Sequence, residues 1–375
     1  MPGAATLLMT GATGLVGGHL YRQFLTTRPE LRFVLLTRCP KRIAAPFRDG
    51  RTLILYGDLR EPELGISSGT RRQLQAEVTE IIHCAANTRF DCTLAEARAT
   101  NTDGTAKLVD LAKTCRSLEK FGYVSTVYVV GRSTGRFPEA PCWPDKGFVN
   151  AYQQSKCEAE QMVVQAMNEI PAAIFRLSSI IGDAATGHVR QFNYIHQLLK
   201  LLPYGSILPM IPCEPSAPAD IITTDWAEAA LAYLFEFGFV PGQAYHVCAG
   251  PERSIKIGRL VELSLDIFAS HPGGQRSQPI TLPRQVDLAT WEEYVKQTRP
   301  NANSVLGELL RVLNYFAAHL ALHQVFENDR TSGSLREGGV MLPPMADCYA
   351  RMVRYCLDTN WGRQRSGAPL GARQN

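Results

Sequence analysis

The chain has 375 residues, of which 45% are hydrophobic and 20% are charged, the proportions of a soluble globular protein. This composition excludes a disordered, collagen-like or coiled-coil chain, and the length suffices for two or three ordinary domains. The net charge of +4 is too small to predict a nucleic-acid-binding protein, although it is compatible with an anionic ligand.

Short apolar runs alternate with amphipathic stretches through the first half of the chain. Strands are predicted at 5–10, 33–37, 52–56, 80–85, 121–130 and 173–180, and helices at 15–26, 71–78, 95–115 and 151–170. Such alternation predicts an α/β fold with a parallel sheet that helices cover on both faces. We therefore expect a doubly wound, Rossmann-type sheet.

The pattern becomes less regular after about residue 185. Helices are predicted at 192–201, 257–268, 305–326 and 347–357, with a strand at 244–248 and a strand followed by a helix at 220–235. We assign residues 1–185 and 221–250 to the Rossmann core, and 186–220 and 251–362 to a smaller, mainly helical substrate lobe. Residues 363–375 are rich in Gly, Arg and Gln, and we expect a disordered tail there.

The ten cysteines include no pair with C-x-x-C spacing, so neither a zinc site nor a thioredoxin-like motif is predicted. They lie in apolar stretches, where a free cysteine behaves as a small hydrophobic residue. His319 and His323 are four residues apart on a predicted helix, but they have no third ligand and we expect packing rather than metal binding. Without a predicted signal peptide or membrane span, the expected location is the cytoplasm.

A glycine-rich segment follows the first predicted strand and opens the first helix. Residues 10–17 read Thr-Gly-Ala-Thr-Gly-Leu-Val-Gly. Gly11 permits a tight turn, Gly14 lets the backbone approach a pyrophosphate, and Gly17 lets the helix pack closely on the strand. The exposed N–H groups and the positive end of the helix then bind the phosphates. We predict a dinucleotide site that includes Thr10, Gly11, Thr13, Gly14, Leu15 and Gly17.

The end of the second predicted strand indicates which dinucleotide binds. An acidic residue there would bind the ribose hydroxyls of NAD. This chain instead has Arg38, with Lys41 and Arg42 close behind, and these cations favour the 2′-phosphate of NADPH. Asp58 follows the third strand, where it either accepts a hydrogen bond from the adenine amine or forms a turn.

Tyr152 and Lys156 are four residues apart near the start of a predicted helix, so both side chains project from one face. A nearby ammonium group favours the phenolate and lowers the pKa of the tyrosine, which would make proton exchange feasible. Ser125 and Thr126 end a predicted strand. Because adjacent residues of a strand point to opposite faces, only one of these two hydroxyls can reach Tyr152.

Together these residues resemble the extended short-chain dehydrogenase/reductases. Within that superfamily the chain is most similar to the branch of thioester reductase domains and fatty acyl-CoA reductases. The resemblance covers residues 5–250, about two-thirds of the chain. It rests on Thr10–Gly17, Gly57–Leu59, Glu61–Gly65, Ile81–Ala86, Asn101–Thr105, Val124–Thr126, Asn150–Lys156 with Glu158 and Glu160, and Thr224–Asp225.

The resemblance implies a role for each matching residue. Thr126 matches the catalytic Ser/Thr, Tyr152 the proton donor and Lys156 its partner, which also contacts the nicotinamide ribose. The residues implied to line or organise the cofactor site are Arg38, Asp58, Leu59, Ala85, Ala86 and Asn101. The segment after Arg176 departs from the pattern, because this chain has Leu177 where many relatives have Pro.

The function implied is an NADPH-dependent reductase that transfers hydride to an acyl thioester, carried by CoA or a carrier protein, to give an aldehyde or alcohol. The alternatives are a reductase of free ketones or aldehydes, an NAD(P)-dependent sugar epimerase or dehydratase, and a non-catalytic dinucleotide-binding protein. A homodimer is also possible in this fold. Five residues of the lobe either line an apolar substrate pocket or belong to the core: Tyr194, Leu198, Tyr204, Trp291 and Tyr294.

Overall fold

The computed structural model describes residues 5–39, 50–89, 91–202, 208–272, 280, 282–298 and 304–363. Its strands are, in chain order, β1 Thr6–Thr10, β2 Arg32–Thr37, β3 Thr52–Tyr56, β4 Glu80–His83, β5 Lys120–Thr126, β6 Gly135–Phe137, β7 Ala172–Leu177, β8 Ser179–Ile180, β9 Met210–Pro212, β10 Pro218–Ala219, β11 Ile221–Ile222, β12 Ala244–Val247, β13 Ile255–Lys256, β14 Arg284–Val286 and β15 Gln324–Phe326. Its helices are α1 Leu15–Thr27, α2 Ser68–Glu77, α3 Leu94–Asn101, α4 Asp103–Thr114, α5 Ala151–Ala166, α6 Tyr194–Leu201, α7 Thr224–Glu236, α8 Gly250–Arg253, α9 Ile257–Ser270, α10 Leu288–Thr298, α11 Val305–Ala321, α12 Asp329–Glu337 and α13 Met345–Asp358.

A seven-stranded sheet in the order β12-β7-β5-β4-β1-β2-β3 forms the centre of the fold. Neighbouring strands all pair in parallel. All five residues of β1 are buried, as expected for a strand covered on both faces. The predicted α/β class and doubly wound parallel sheet are confirmed.

Helices cover the two faces of this sheet because adjacent strand residues point in opposite directions. On one face, Leu108 of α4 and Val163 of α5 share a buried cluster with Val34 of β2. On the other face, the ring of Tyr21 in α1 packs edge-on against Phe33, with 5.2 Å between centroids. The sheet therefore lies between two apolar layers.

The parallel arrangement also determines where chemistry can occur. The carboxyl ends of β1, β4 and β5 lie at the same edge of the sheet because the three strands are adjacent and parallel. These strands end at Thr10, His83 and Thr126. Ligands of open α/β sheets bind outside this edge.

The chain divides into two compact units. The first contains residues 1–180, 226–252 and 323–342, and the second contains 181–225, 253–322 and 343–375. This division differs from the predicted domains mainly at His323–Leu342, which we had assigned to the substrate lobe. A substrate-binding role for the second unit stays a prediction.

The second unit is mainly helical and has its own apolar core around Trp291, which is fully buried. Leu198 and Tyr294 pack against this cluster. Tyr194 stacks on the ring of His319, with 4.9 Å between centroids. For these four residues the structure supports packing as their role, whereas Tyr204 lies outside the described residues.

Three predicted elements differ from the observed ones. The helix expected at 95–115 is two helices separated at Thr102, whose hydroxyl donates to the Ser155 carbonyl oxygen over 3.1 Å. The strand expected at 121–130 ends at Thr126 and continues as a 3₁₀ turn. The helix expected at 305–326 ends at Ala321, and β15 follows it and pairs with β6. The elements that were not predicted are helices α8, α10 and α12 and strands β6, β9, β10, β13, β14 and β15.

Candidate active site

The glycine loop makes the tight turn and the close helix–strand packing that the sequence predicts. Gly11 has a φ of +75°, and a Cβ there would lie 2.6 Å from the Ala85 backbone nitrogen. A Cβ on Gly17 would lie 2.5 Å from the Gly11 carbonyl oxygen. Helix α1 begins after Gly14 without a side-chain cap and has no acidic residue in its first turn. Its positive end and N–H groups therefore fit a pyrophosphate.

Arg38 and Asp58 lie beyond the ends of β2 and β3. The hydrogen bond from Arg60 is the main cause that lowers the pKa of Asp58. Arg38, which is exposed, lowers it further through its charge. The Arg60 backbone nitrogen donates to Asp58 Oδ1 over 3.0 Å, and its guanidinium donates to Oδ2 over 2.7 Å. Asp58 thus forms a turn, one of its two predicted roles. Lys41 and Arg42 lie outside the described residues.

A chain of hydrogen bonds joins the end of β1 to α3 and α4. His83 is buried, with Nδ1 2.6 Å from Thr10 Oγ1 and Nε2 2.9 Å from Thr105 Oγ1. Burial lowers the pKa of His83 to about 3, so the ring is neutral. Because Thr105 donates to the Asn101 carbonyl oxygen over 2.5 Å, its oxygen accepts from His83 Nε2. Thr10 then donates to Nδ1, so both ring nitrogens of His83 are hydrogen-bonded at the strand ends.

Asn101 continues this connection to the helix that carries Tyr152. Its Nδ2 donates to the Asn87 carbonyl oxygen over 3.0 Å and to Ser155 Oγ over 2.9 Å. Its Oδ1 accepts from the Asn87 backbone nitrogen over 2.7 Å. Ser155 in turn donates to the Tyr152 carbonyl oxygen over 3.0 Å. This agrees with the organising role that the resemblance implied for Asn101, a role that stays a prediction.

Tyr152 and Thr126 are hydrogen-bonded side chains at the carboxyl end of β5. Burial raises the pKa of Tyr152 to about 12, and the hydrogen bond with Thr126 opposes this shift. The prediction that Lys156 lowers this pKa is wrong: burial raises it, and the opposing group is Thr126 rather than Lys156. A phenol with this pKa is protonated near neutral pH, so Tyr152 can donate a proton to a developing oxyanion.

Lys156 lies one helical turn after Tyr152 and is only 3% exposed. Its ammonium group donates to the Val124 carbonyl oxygen over 2.7 Å and lies 4.0 Å from the centroid of the Tyr123 ring. Burial lowers the pKa of Lys156 to about 7, while Glu160 acts in the opposite direction. Its charge at neutral pH therefore depends on the groups around it.

A buried charge network that was not predicted from the sequence lies one turn farther along α5. Glu160 pairs with Arg176, and both side chains are fully buried. Ser125 donates to Glu160 Oε2 over 2.8 Å, which leaves Thr126 as the hydroxyl that contacts Tyr152. Arg176 Nη1 lies 3.0 Å from His246 Nε2. The four-residue spacing from Lys156 to Glu160 could have indicated this network.

The remaining candidates do not form sites. His323 lies beyond the end of α11, so it does not share a helix face with His319. No group of histidine, cysteine and acidic residues within the described residues could hold a metal ion. Burial raises the pKa of Cys84 to about 12, which argues against a nucleophilic thiol. In the described part of the chain, no helix is long and apolar enough to cross a membrane.

Comparison with protein families supplies the identification. A family model described as male sterility protein, an NAD-binding family, matches residues 9–231, more than half of the chain. The chain belongs to this family. It is 31% identical over 237 residues to an isonitrile lipopeptide synthase of Streptomyces coeruleorubidus, and 26% identical over 274 residues to human fatty acyl-CoA reductase 2.

These matches cover 58% and 60% of this chain, but only 16% of the synthase and 53% of the human reductase. Among solved structures, the terminal R domain from the myxalamid PKS-NRPS biosynthetic pathway is similar, with a TM-score of 0.75 and 22% identity. That match covers 96% of this chain and 93% of the R domain. The predicted superfamily, its thioester reductase and fatty acyl-CoA reductase branch, and an NAD(P)-binding domain are confirmed.

Substitution of Gly11 tests the phosphate-binding loop. Because alanine is disfavoured at a φ of +75° and its Cβ would meet the Ala85 backbone, we expect Gly11→Ala to weaken NAD(P)H binding about tenfold or more. Fluorescence titration with NADPH and with NADH measures this, and Gly50→Ala is the matched control, since among the described residues other than its chain neighbours no atom lies within 4 Å of a Cβ there. Equal affinity in a folded Gly11→Ala protein would contradict the assignment of the loop.

Proposed function

We propose that the chain is an NADPH-dependent reductase of acyl thioesters, which are carried by CoA or by a carrier protein and reduced to an aldehyde or an alcohol. The observation that carries this proposal is the pair of hydrogen-bonded hydroxyls of Thr126 and Tyr152 at the carboxyl end of β5, with Lys156 one turn along α5. Similarity to a fatty acyl-CoA reductase and to a lipopeptide synthase supports an acyl thioester as the substrate.

The described residues fit a dinucleotide, because α1 begins after Gly14 without a side-chain cap or an acidic residue in its first turn, which suits its N–H groups to phosphates. In this proposal Arg38 binds the 2′-phosphate, and Asp58 and Leu59 lie beside the adenine. Ala85 and Ala86 lie beside the nicotinamide ribose, which Lys156 contacts, and Asn101 holds the surrounding backbone. The pyrophosphate would lie on the loop of Thr10, Gly11, Thr13, Gly14, Leu15 and Gly17, in which Thr10 and Gly17 shape the backbone and the helix N–H groups would bind the phosphates.

The residues then act on the thioester carbonyl. When bound, the reduced nicotinamide supplies the hydride that adds to the carbonyl carbon. Thr126 and Tyr152 donate hydrogen bonds to the carbonyl oxygen, and Tyr152 passes its proton to that oxygen as negative charge develops. The resulting hemithioacetal breaks its carbon–sulfur bond, the thiol leaves with a proton, and an aldehyde remains. Where the product is the alcohol, a second NADPH would supply another hydride to the aldehyde carbon and Tyr152, reprotonated from solvent, another proton to its oxygen.

The reaction is tested by following NADPH oxidation at 340 nm with panels of acyl-CoA and carrier-bound thioesters. We expect turnover by the unmodified protein and a loss of kcat of about 10²–10⁴-fold in Tyr152→Phe, which removes the proton donor but leaves the ring. Tyr56→Phe, on the exposed edge strand β3, is the control. Turnover confined to free ketones or aldehydes would favour that alternative. Binding without any turnover would favour a non-catalytic protein.

The cofactor choice is tested at Arg38. A carboxylate at this position removes the cation and repels the 2′-phosphate, so Arg38→Asp should lower the NADPH/NADH ratio of kcat/KM by about 10- to 100-fold. Arg72→Asp, at an exposed position of α2, makes the same charge change away from this loop. An unchanged ratio in Arg38→Asp, measured beside this control, would remove Arg38 from the 2′-phosphate site.

The carrier protein, the homodimer and the cytoplasmic location belong to the same proposal. None of the ten cysteines, all of which lie among the described residues, forms a disulfide, and this supports a reducing compartment. A carrier protein or CoA would bring an anionic group to a chain of net charge +4.

A further inference from the structure

The aromatic ring of Tyr123 lies against the ammonium group of Lys156. The Nζ atom is 4.0 Å from the ring centroid, well within the distance of a cation–π contact. Tyr123 is fully buried on β5 and pairs in register with His83 of β4, with 5.7 Å between the two rings. The ring is therefore held in place by the sheet itself.

Lys156 needs such a contact because its charge is buried. An ammonium group that leaves water requires either hydrogen bonds or a group of opposite polarity. The Val124 carbonyl oxygen accepts one hydrogen bond from Lys156 at 2.7 Å. The negatively polarised face of an aromatic ring offers a second favourable contact, and its effect is largest where water is excluded.

The titratable groups that face Lys156 compensate only partly for the hydration that its ammonium group loses on burial. Glu160 of α5 favours the charged lysine, but its carboxylate is bound by Arg176 of β7. At the end of β4, burial keeps His83 neutral, with a pKa lowered to about 3. Burial also keeps the neighbouring Cys84 thiol protonated, with a pKa raised to about 12.

We propose that Tyr123 is a positioning residue whose aromatic face holds the ammonium group of Lys156 charged and in place beside Val124. The inference rests on the proposed function, in which Lys156 serves as the charged partner of Tyr152. Because the aromatic ring of Tyr123 carries this role, substitution by phenylalanine should preserve the charge and position of Lys156, whereas an aliphatic side chain should not.

Three variants separate the ring from the hydroxyl and from the volume. Tyr123→Phe removes only the hydroxyl. Tyr123→Leu removes the aromatic face as well, and Tyr123→Met does so with a flexible side chain that can fill the space. Thermal unfolding identifies which variants fold, and the titration uses every variant that does.

The titration of Lys156 is measured by NMR on protein with ¹³C-labelled lysine, and its signal is identified by its loss in Lys156→Met. We expect Tyr123→Phe to titrate like the unmodified protein. Tyr123→Leu and Tyr123→Met should lower the pKa of Lys156 by about one unit, because the aromatic face favours the charged form. Unchanged titration in the folded aliphatic variants, or an equal shift in Tyr123→Phe, would overturn the inference.

The pH dependence of turnover provides a second measurement of the same downward shift in the pKa of Lys156. If Lys156 must be protonated, turnover falls as the pH rises through its pKa, and the aliphatic variants should lose activity about one pH unit lower than Tyr123→Phe. Turnover is not needed for the NMR titration. A protein that shows the expected shift but reduces no thioester would therefore retain this inference and refute the proposed function.

Discussion

The burial of one charged side chain, Lys156, governs the arrangement of the candidate site. An ammonium group in this position is unfavourable unless neighbouring groups compensate for lost hydration. The Val124 carbonyl oxygen, the Tyr123 ring and the Glu160 carboxylate supply that compensation. Glu160 is itself buried and paired with Arg176 of β7, which contacts His246 of β12, so the charge of Lys156 is linked to a network on these two strands.

A second constraint comes from the adjacent parallel strands. Because β1, β4 and β5 end at the same edge, the glycine loop and Thr126 lie at the same side of the sheet. The neutral ring of His83 joins Thr10 to Thr105, and Asn101 joins the same region to Ser155 of α5. The loop that fits the phosphates and the helix that carries Tyr152 are thus fixed to one framework of hydrogen bonds.

Much of this framework could be predicted from sequence because it depends on local patterns. Apolar runs specify the strands, and the glycines of residues 10–17 specify a turn with a defined steric requirement. The spacing of Tyr152 and Lys156 places them on one helix face. Thr126 could be separated from Ser125 only by the resemblance, since alternation alone does not say which face carries Tyr152.

The features that were missed depend on contacts between distant segments. Strand β15 pairs in parallel with β6, almost two hundred residues away along the chain, and the Gln324 side chain donates to the carbonyl oxygens of Gly131 and Ser133 nearby. The pKa of Tyr152 is raised because burial outweighs its neighbours, and burial depends on the complete fold. The ring contact between Tyr123 and Lys156 likewise requires β5 and α5 to be packed together.

The central claim is that hydride from NADPH reaches the carbonyl carbon of an acyl thioester. The most direct measurement uses NADPH deuterated at both positions of nicotinamide C4, an acyl-CoA substrate and mass spectrometry of the product. The account predicts one deuterium on the carbonyl carbon of the aldehyde, or two on that carbon of the alcohol, together with release of the free thiol. Release of the thiol with an unlabelled carboxylic acid as the product would contradict it.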